Sequence, residues 1–250
     1  ASMKLIVKTV ALIGLGLFLY SRIWSCKLYF YINERFYWLI VFAALGFILI
    51  GCSYYYKSMV DQEYDDHDHH DHGDHQHSPV SWVGLALVAL PIVLGLAVQP
   101  RPLGAAAMVN RDVTIESLTS AAAPEEGFVL NRPAGEKNIL DWLVEFRAAP
   151  DLSTFEGQEA ELIGFVYRDD RFGADQFMVS RFVLSCCAAD AAPLGLIVEW
   201  PDAPELADDQ WVEVKGHLTP SNFAGEDLPI LVAESVTLTD IPDRPYLYPF

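Results

Sequence analysis

The chain has 250 residues, 34 Asp and Glu against 16 Lys and Arg, and a formal net charge of −18. The length allows about two structural units of ordinary domain size. Residues 111–250 hold 26 acidic and 9 basic residues, −17 in all, which excludes a phosphate backbone as an expected partner: no nucleic acid. Four cysteines, two of them adjacent, are too few for a disulfide scaffold.

Apart from one polar loop, residues 5–98 are nearly all apolar or aromatic. A helix needs about 20 apolar residues to cross the hydrocarbon core. Three stretches reach that length and predict transmembrane helices. The first is Leu5–Trp24, where Lys8 can extend its ammonium to the interface. The second, Phe36–Tyr56, ends in the aromatic run Tyr54, Tyr55 and Tyr56. The third, Val80–Val98, begins near Trp82 and contains Pro91, which removes a backbone donor and predicts a kink. No small-residue cleavage site follows Tyr20, and the lipoprotein-like Leu49-Ile50-Gly51-Cys52 lies behind two apolar runs, so neither a signal peptide nor a lipid anchor is expected. Cys26 and Cys52 are expected as packing residues. Arg22, Lys27, Arg35, Arg101 and Arg111 outnumber Lys4, Lys8 and Lys57, which places the first loop and the C-terminal domain on the cytoplasmic side of a multi-pass plasma-membrane protein.

The loop 61–77 reads DQEYDDHDHHDHGDHQH and holds six of the seven histidines and seven acidic residues. Imidazole and carboxylate interleaved in this way suit Zn²⁺ or another divalent transition metal. His67, His69, His70, His72, His75 and His77, with Asp68 and Asp71, are the candidate ligands. The acidic neighbours should raise the imidazole pKa values, so metal should compete with protons as pH falls. The alternative is a solvated acidic linker. Six histidines within residues 67–77 favour metal contact.

Residues 99–137 form a connector broken by Pro100, Pro102, Gly104, Pro133 and Gly135. Asn138 can cap a short helix, Ile139–Ala148, ended by Pro150. Five strand-like runs follow: Ala160–Tyr167, Phe177–Ser185, Gly195–Trp200, Trp211–Leu218 and Ile230–Leu238, with a helical turn at Pro204–Asp209. This spacing predicts a small all-β, OB-like barrel over 138–250, behind the membrane block 1–98.

At the end of the second run stands Ser185-Cys186-Cys187-Ala188-Ala189-Asp190. Adjacent cysteines on a strand point to opposite sides, so both reach one metal only if the chain turns there. Cys186, Cys187 and Asp190 are candidate metal ligands, with His217 a possible addition. A strained vicinal disulfide acting as a redox switch and two small buried apolar side chains are the competing readings.

With those pieces in view the chain resembles the YcgQ-like family of bacterial permease subunits. The resemblance is carried by two helices, a histidine-rich loop, a third helix and a C-terminal domain. Within that domain it is carried by Gly157, Gly164-Phe165-Val166, Arg181-Phe182-Val183, Cys186-Cys187-Ala188-Ala189-Asp190-Ala191-Ala192-Pro193 and Trp211-Val212-Glu213-Val214-Lys215-Gly216. It implies a non-catalytic subunit beside a larger multi-helix permease subunit, in the lipid bilayer. The helices carry almost no polar groups between their ends and so offer no ion pathway of their own. No Ser-His-Asp set, phosphate loop or paired carboxylates can be picked out, so neither an enzyme nor an organic cofactor is expected. The expected function is an accessory permease subunit handling a divalent metal. The alternative is a membrane-tethered metal or redox sensor without transport.

Overall fold

The computed structural model describes residues 3–63, 82–109, 132–223 and 226–248. Contacts divide the chain into two compact units, one of Ala1–Leu28 with Glu34–Arg101 and one of Tyr29–Asn33 with Pro102–Phe250.

The first unit is helical: α1 (Met3–Trp24), α2 (Tyr37–Glu63) and α3 (Trp82–Ala97). Small residues let the backbones approach. A Cβ on Gly16 would stand 2.6 Å from Ile48 Cγ1 and 2.9 Å from the Ala44 carbonyl, and one on Gly51 would stand 2.7 Å from Ile13 Cγ1. Glycine at these contacts replaces side-chain bulk with close backbone packing. Lys8, early in α1, lies 6.0 Å over the Tyr54 ring, late in α2, so the two helices are antiparallel. At the other end of α1, Arg22 lies over the Phe18 ring and donates to the Gly95 carbonyl, while Phe18 occupies the space a Gly95 side chain would fill. α1 and α3 therefore run in the same direction. Arg22 supplies a donor to one of the last α3 carbonyls, which have no partner within their own helix.

Two helices, over Ile6–Trp24 and Glu34–Lys57, are long and apolar enough to cross a membrane, and only 11% of each span is buried within the protein. Val10, Leu17, Phe42, Leu45 and Leu49 face outward, which is not the pattern of a soluble core helix. Of the three expected spans, the first two reach crossing length among the described residues. α3 has 16 described residues, roughly 24 Å at 1.5 Å per residue against the ~30 Å of hydrocarbon. It runs through Pro91 as one helix, and α2 continues past Tyr56 to Glu63. Cys26 and Cys52 are both exposed rather than packed; Cys26 stands at the end of α1 with a left-handed φ of 55°.

The second unit is a closed five-stranded barrel. Its strands are β1 (Glu159–Tyr167), β2 (Gln176–Val183), β3 (Ala192–Glu199), β4 (Trp211–Phe223) and β5 (Glu226–Leu238), in the order β1-β2-β3-β5-β4. β4 returns to β1 with Leu162 opposite Val214 and Phe165 opposite Trp211. All pairings are antiparallel except β3 with β5, where Val198 pairs Leu231. The barrel interior follows the two-residue period of strands: Leu162 and Val166, Phe177 and Val179, Leu194, Leu196 and Val198, Val212 and Val214. α5 (Ile139–Ala148) joins the same core through Ile139, Leu140, Trp142, Leu143 and Val144. Its start is fixed by a reciprocal capping box, Asp141 N–H to the Asn138 side chain at 3.1 Å and Asn138 N–H to Asp141 Oδ2 at 3.0 Å.

The alternate positions are also apolar. Phe165, Tyr167, Met178, Phe182, Ile197 and Trp211 form an outer cluster covered by α4 (Ala105–Val109), whose Met108 is fully buried, and by Tyr246. Thus the stretch 99–137, loose in composition, contributes a packed turn to the barrel unit. The helical turn is Ala203–Glu205, ending before the expected Asp209, because Leu206 is already extended with φ −83° and ψ 134°. Asp209 takes a left-handed φ of 66° and its N–H donates to the Val166 carbonyl. β4 and β5 extend well past the expected Leu218 and back before Ile230, forming one long hairpin with Pro220 opposite Pro229.

Candidate thiol site

The chain leaves β2 at Val183, two residues before the expected end, because the Leu184 N–H turns to the Leu247 carbonyl. It then makes a 3-10 turn, Ala188–Asp190, before β3 begins at Ala192. Asp190 shapes the turn. Its Oδ2 accepts from the Cys186 N–H at 2.6 Å, and its Oδ1 accepts from Ser185 N–H at 3.2 Å and Cys187 N–H at 3.3 Å. Three consecutive N–H groups converging on one carboxylate fold what would be a straight strand end.

That fold removes the geometric objection to adjacent cysteines sharing a ligand. The Cys186 and Cys187 sulfurs are 3.7 Å apart, and both thiols and the Asp190 carboxylate lie within 4.8 Å of one another. Both thiols are free; Cys186 is exposed and Cys187 half-buried, which rules out the reading of two buried apolar side chains. Tetrahedral zinc with bonds of about 2.3 Å holds two thiolates about 3.8 Å apart, so the spacing fits such an ion. The carboxylate is already hydrogen-bonded on both oxygens, as ligating carboxylates commonly are.

The electrostatics are those of a protonated thiol beside an anion. The hydrogen bond to Asp190, then that to Cys187, pushes the Cys186 thiol up to about 12. Slight burial alone would raise Asp190, but bonds from the Cys186 thiol and the three N–H groups outweigh it and hold the carboxyl below its usual range. A cation binding here must displace the thiol proton.

His217 stands elsewhere, on β4 with Nδ1 3.5 Å from Glu234 Oε1, and does not join the thiols. His67, His69, His70, His72, His75, His77, Asp68 and Asp71 lie outside the described residues. Asn33 is the site residue that sequence reasoning missed. It is 2% exposed, and its side-chain amide donates to Ser185 O at 2.9 Å and Leu184 O at 3.3 Å. Nothing in the local sequence connects it with residues 151 and 152 positions away.

The other family-like segments are architectural. Arg181 donates to the Pro245 carbonyl at 3.0 Å, and burial brings its guanidinium down to about 10. Val212 and Val214 fill the barrel, while Gly216 sits at the β4–β5 register shift against the Val232 carbonyl.

A barrel unit with an exposed thiol turn and a unit of long apolar helices define a two-part chain, and each part matches a described domain. Residues 7–113 match the DUF1980 N-terminal domain and residues 120–249 the DUF1980 C-terminal domain; the chain belongs to this family. It is similar to UPF0703 protein YcgQ of Bacillus subtilis (strain 168), 31% identical over 96 residues, covering 38% of this chain and 34% of that protein. It is also similar to a Streptococcus mutans protein named "Putative two-component membrane permease complex subunit", 22% identical over 196 residues, covering 65% of this chain and 72% of that one. The matched segment thus spans about a third of the Bacillus relative and nearly three quarters of the Streptococcus one. No solved structure matches the chain.

Proposed function

We propose that this chain is a non-catalytic subunit of a plasma-membrane permease complex, and that its Cys186–Cys187 turn binds a thiophilic divalent cation such as Zn²⁺. The observation that carries the metal reading is the 3.7 Å sulfur–sulfur spacing beside Asp190. The permease role rests on the printed name of the Streptococcus relative and on the two apolar helices. The partner is a larger multi-helix permease subunit that supplies the transport path, since the helices here present almost no polar groups inside their spans.

Three crossings fit this role better than two. α3 lies beside α1 in the same direction, joined through Arg22 and Gly95, as a third crossing requires. The C-terminal unit is an OB-like barrel: the order β1-β2-β3-β5-β4 and the parallel β3–β5 closure support it, with α5 before β1 joining the core. The histidine loop gathers the same class of ion, with His67, His69, His70, His72, His75, His77, Asp68 and Asp71 as loosely held ligands. The cytoplasmic side is assigned to the barrel from the distribution of Lys and Arg.

Purification of the full chain from native membranes, with metal analysis of the eluate, tests both parts. A co-purifying multi-helix protein, and bound zinc that falls when Cys186 and Cys187 are changed to serine, are expected. Equal metal in the double variant would overturn the thiol site, and purification without any partner would overturn the subunit role. A barrel whose stability responds to dithiothreitol but not to a chelator would instead establish the redox sensor.

A further inference from the structure

The thiol turn is not held by its own strand ends alone. Tyr31–Asn33, from the connection between α1 and α2, belongs to the barrel unit and lies against the turn as a short antiparallel segment, with Ile32 bridged to Cys187. The Asn33 N–H donates to the Cys186 carbonyl at 3.0 Å, and the Ala188 N–H donates to the Tyr31 carbonyl at 2.8 Å.

The consequence falls on Cys186. The peptide group before it is pinned at both ends, its Ser185 carbonyl by the Asn33 side chain and its N–H by Asp190. The peptide group after it is pinned likewise, its Cys186 carbonyl by the Asn33 N–H and its Cys187 N–H by Asp190. Two fixed planes leave φ and ψ of Cys186 no freedom, and the direction of its Cα–Cβ bond is thereby set. Asp190 holds the N–H side of this arrangement and Asn33 the carbonyl side. Together they set the direction in which the Cys186 side chain leaves the backbone.

We infer that Asn33 is a positioning residue for the thiol pair, so that ligand binding at Cys186 and Cys187 is linked to order in the segment 31–33. This deepens the thiol-site reading and rests on it. By linkage, whatever the segment contributes to ligand affinity, the ligand returns as order in the segment. Partners that orient metal ligands from behind typically change metal affinity by 10–100-fold.

The test uses the full chain in detergent with Cd²⁺ as the probe, read by the thiolate-to-cadmium absorption band and by hydrogen exchange. Asn33→Ala and the near-isosteric Asn33→Asp, which keeps the volume but removes both amide donors, should each weaken Cd²⁺ binding by roughly tenfold or more. In the unaltered protein, peptides covering 29–33 and 184–188 should gain protection together on adding Cd²⁺, and neither should do so in the Cys186→Ser, Cys187→Ser variant. Protection confined to 184–188, or unchanged affinity in both Asn33 variants, overturns the inference while leaving the metal site standing. No cadmium band in the unaltered protein overturns the metal reading. Asn33 is then judged with a monoarsenical, whose arsenic–oxygen double bond is replaced by two arsenic–sulfur bonds with release of water and no change of oxidation state. Slower bridging of Cys186 and Cys187 in the Asn33 variants sustains the positioning role, and an equal rate overturns it. The exchange and bridging readouts remain informative even where an Asn33 variant melts early.

Discussion

The side-chain amide of Asn33 donates to the carbonyl of Ser185, 152 positions further along the chain, at 2.9 Å. That bond makes the thiol turn a composite of two distant segments, and the turn's chemistry can be tested directly.

Changing Cys186 and Cys187 to serine should remove metal-dependent stabilisation while leaving the apo barrel nearly unaffected, because Cys186 is exposed and Cys187 only half-buried. In the unaltered protein, free Zn²⁺ at 100 times its Kd should add about 2.7 kcal/mol. Melting curves at a series of zinc concentrations check this, and an equal shift in the serine variant would sink it.

Proton competition should govern the site. The Asp190 hydrogen bond pushes the Cys186 thiol up to about 12. The protonated thiol is thus favoured by the fold: its contribution is complete below the unfolded thiol value of about 8.5 and fades as pH rises toward the folded one. Asp190→Asn keeps an acceptor oxygen but removes the charge, so alkylation of Cys186 at pH 8–9 should accelerate. Peptide-resolved mass spectrometry of iodoacetamide adducts separates it from Cys26 and Cys52; an unchanged rate would show that Asp190 does not control the thiol.

Helix packing should respond sharply to position. Gly16→Ala puts a methyl group 2.9 Å from the Ala44 carbonyl, whereas Gly46 has nothing within 4 Å of its would-be Cβ. Overpacking of this kind costs about 1–3 kcal/mol. Thermal unfolding of the full chain in detergent should fall for Gly16→Ala and stay level for Gly46→Ala; equal effects would contradict the α1–α2 contact.

The cap of α5 gives a check on the barrel unit. Asn138→Ala removes the acceptor for the Asp141 N–H and should destabilise the unit by about 0.5–2 kcal/mol. Chemical denaturation followed by tryptophan fluorescence, to which Trp142 of α5 contributes, would register it, and no shift in midpoint would argue against the capping box.

The histidine loop predicts retention of the untagged protein on a nickel-charged resin. Replacing His67, His69, His70, His72, His75 and His77 with alanine should abolish that retention without changing membrane extraction. Retention that persists would exclude the loop from metal handling.

Local pattern carried much of this protein. Continuous apolar runs determine α1 and α2, because a helix satisfies its own backbone and needs only length and composition to be recognised. The two-residue period of Val212 and Val214 against Trp211, and the Asn138 cap, determine β4 and the start of α5, since both signals act within one turn or one strand. The Cys186-Cys187-x-x-Asp190 segment is likewise legible in the sequence. Tertiary structure alone decided how long β4 and β5 run, that Ala105 and Met108 cover the barrel's outer face, and that His217 stays away from the thiols. It alone decided that the two sulfurs converge, because three N–H groups meeting on Asp190 bend a strand that left straight would point them apart. The same holds for Asn33: a hydrogen bond between residues 152 positions apart leaves no local periodicity, propensity or spacing by which the sequence could announce it.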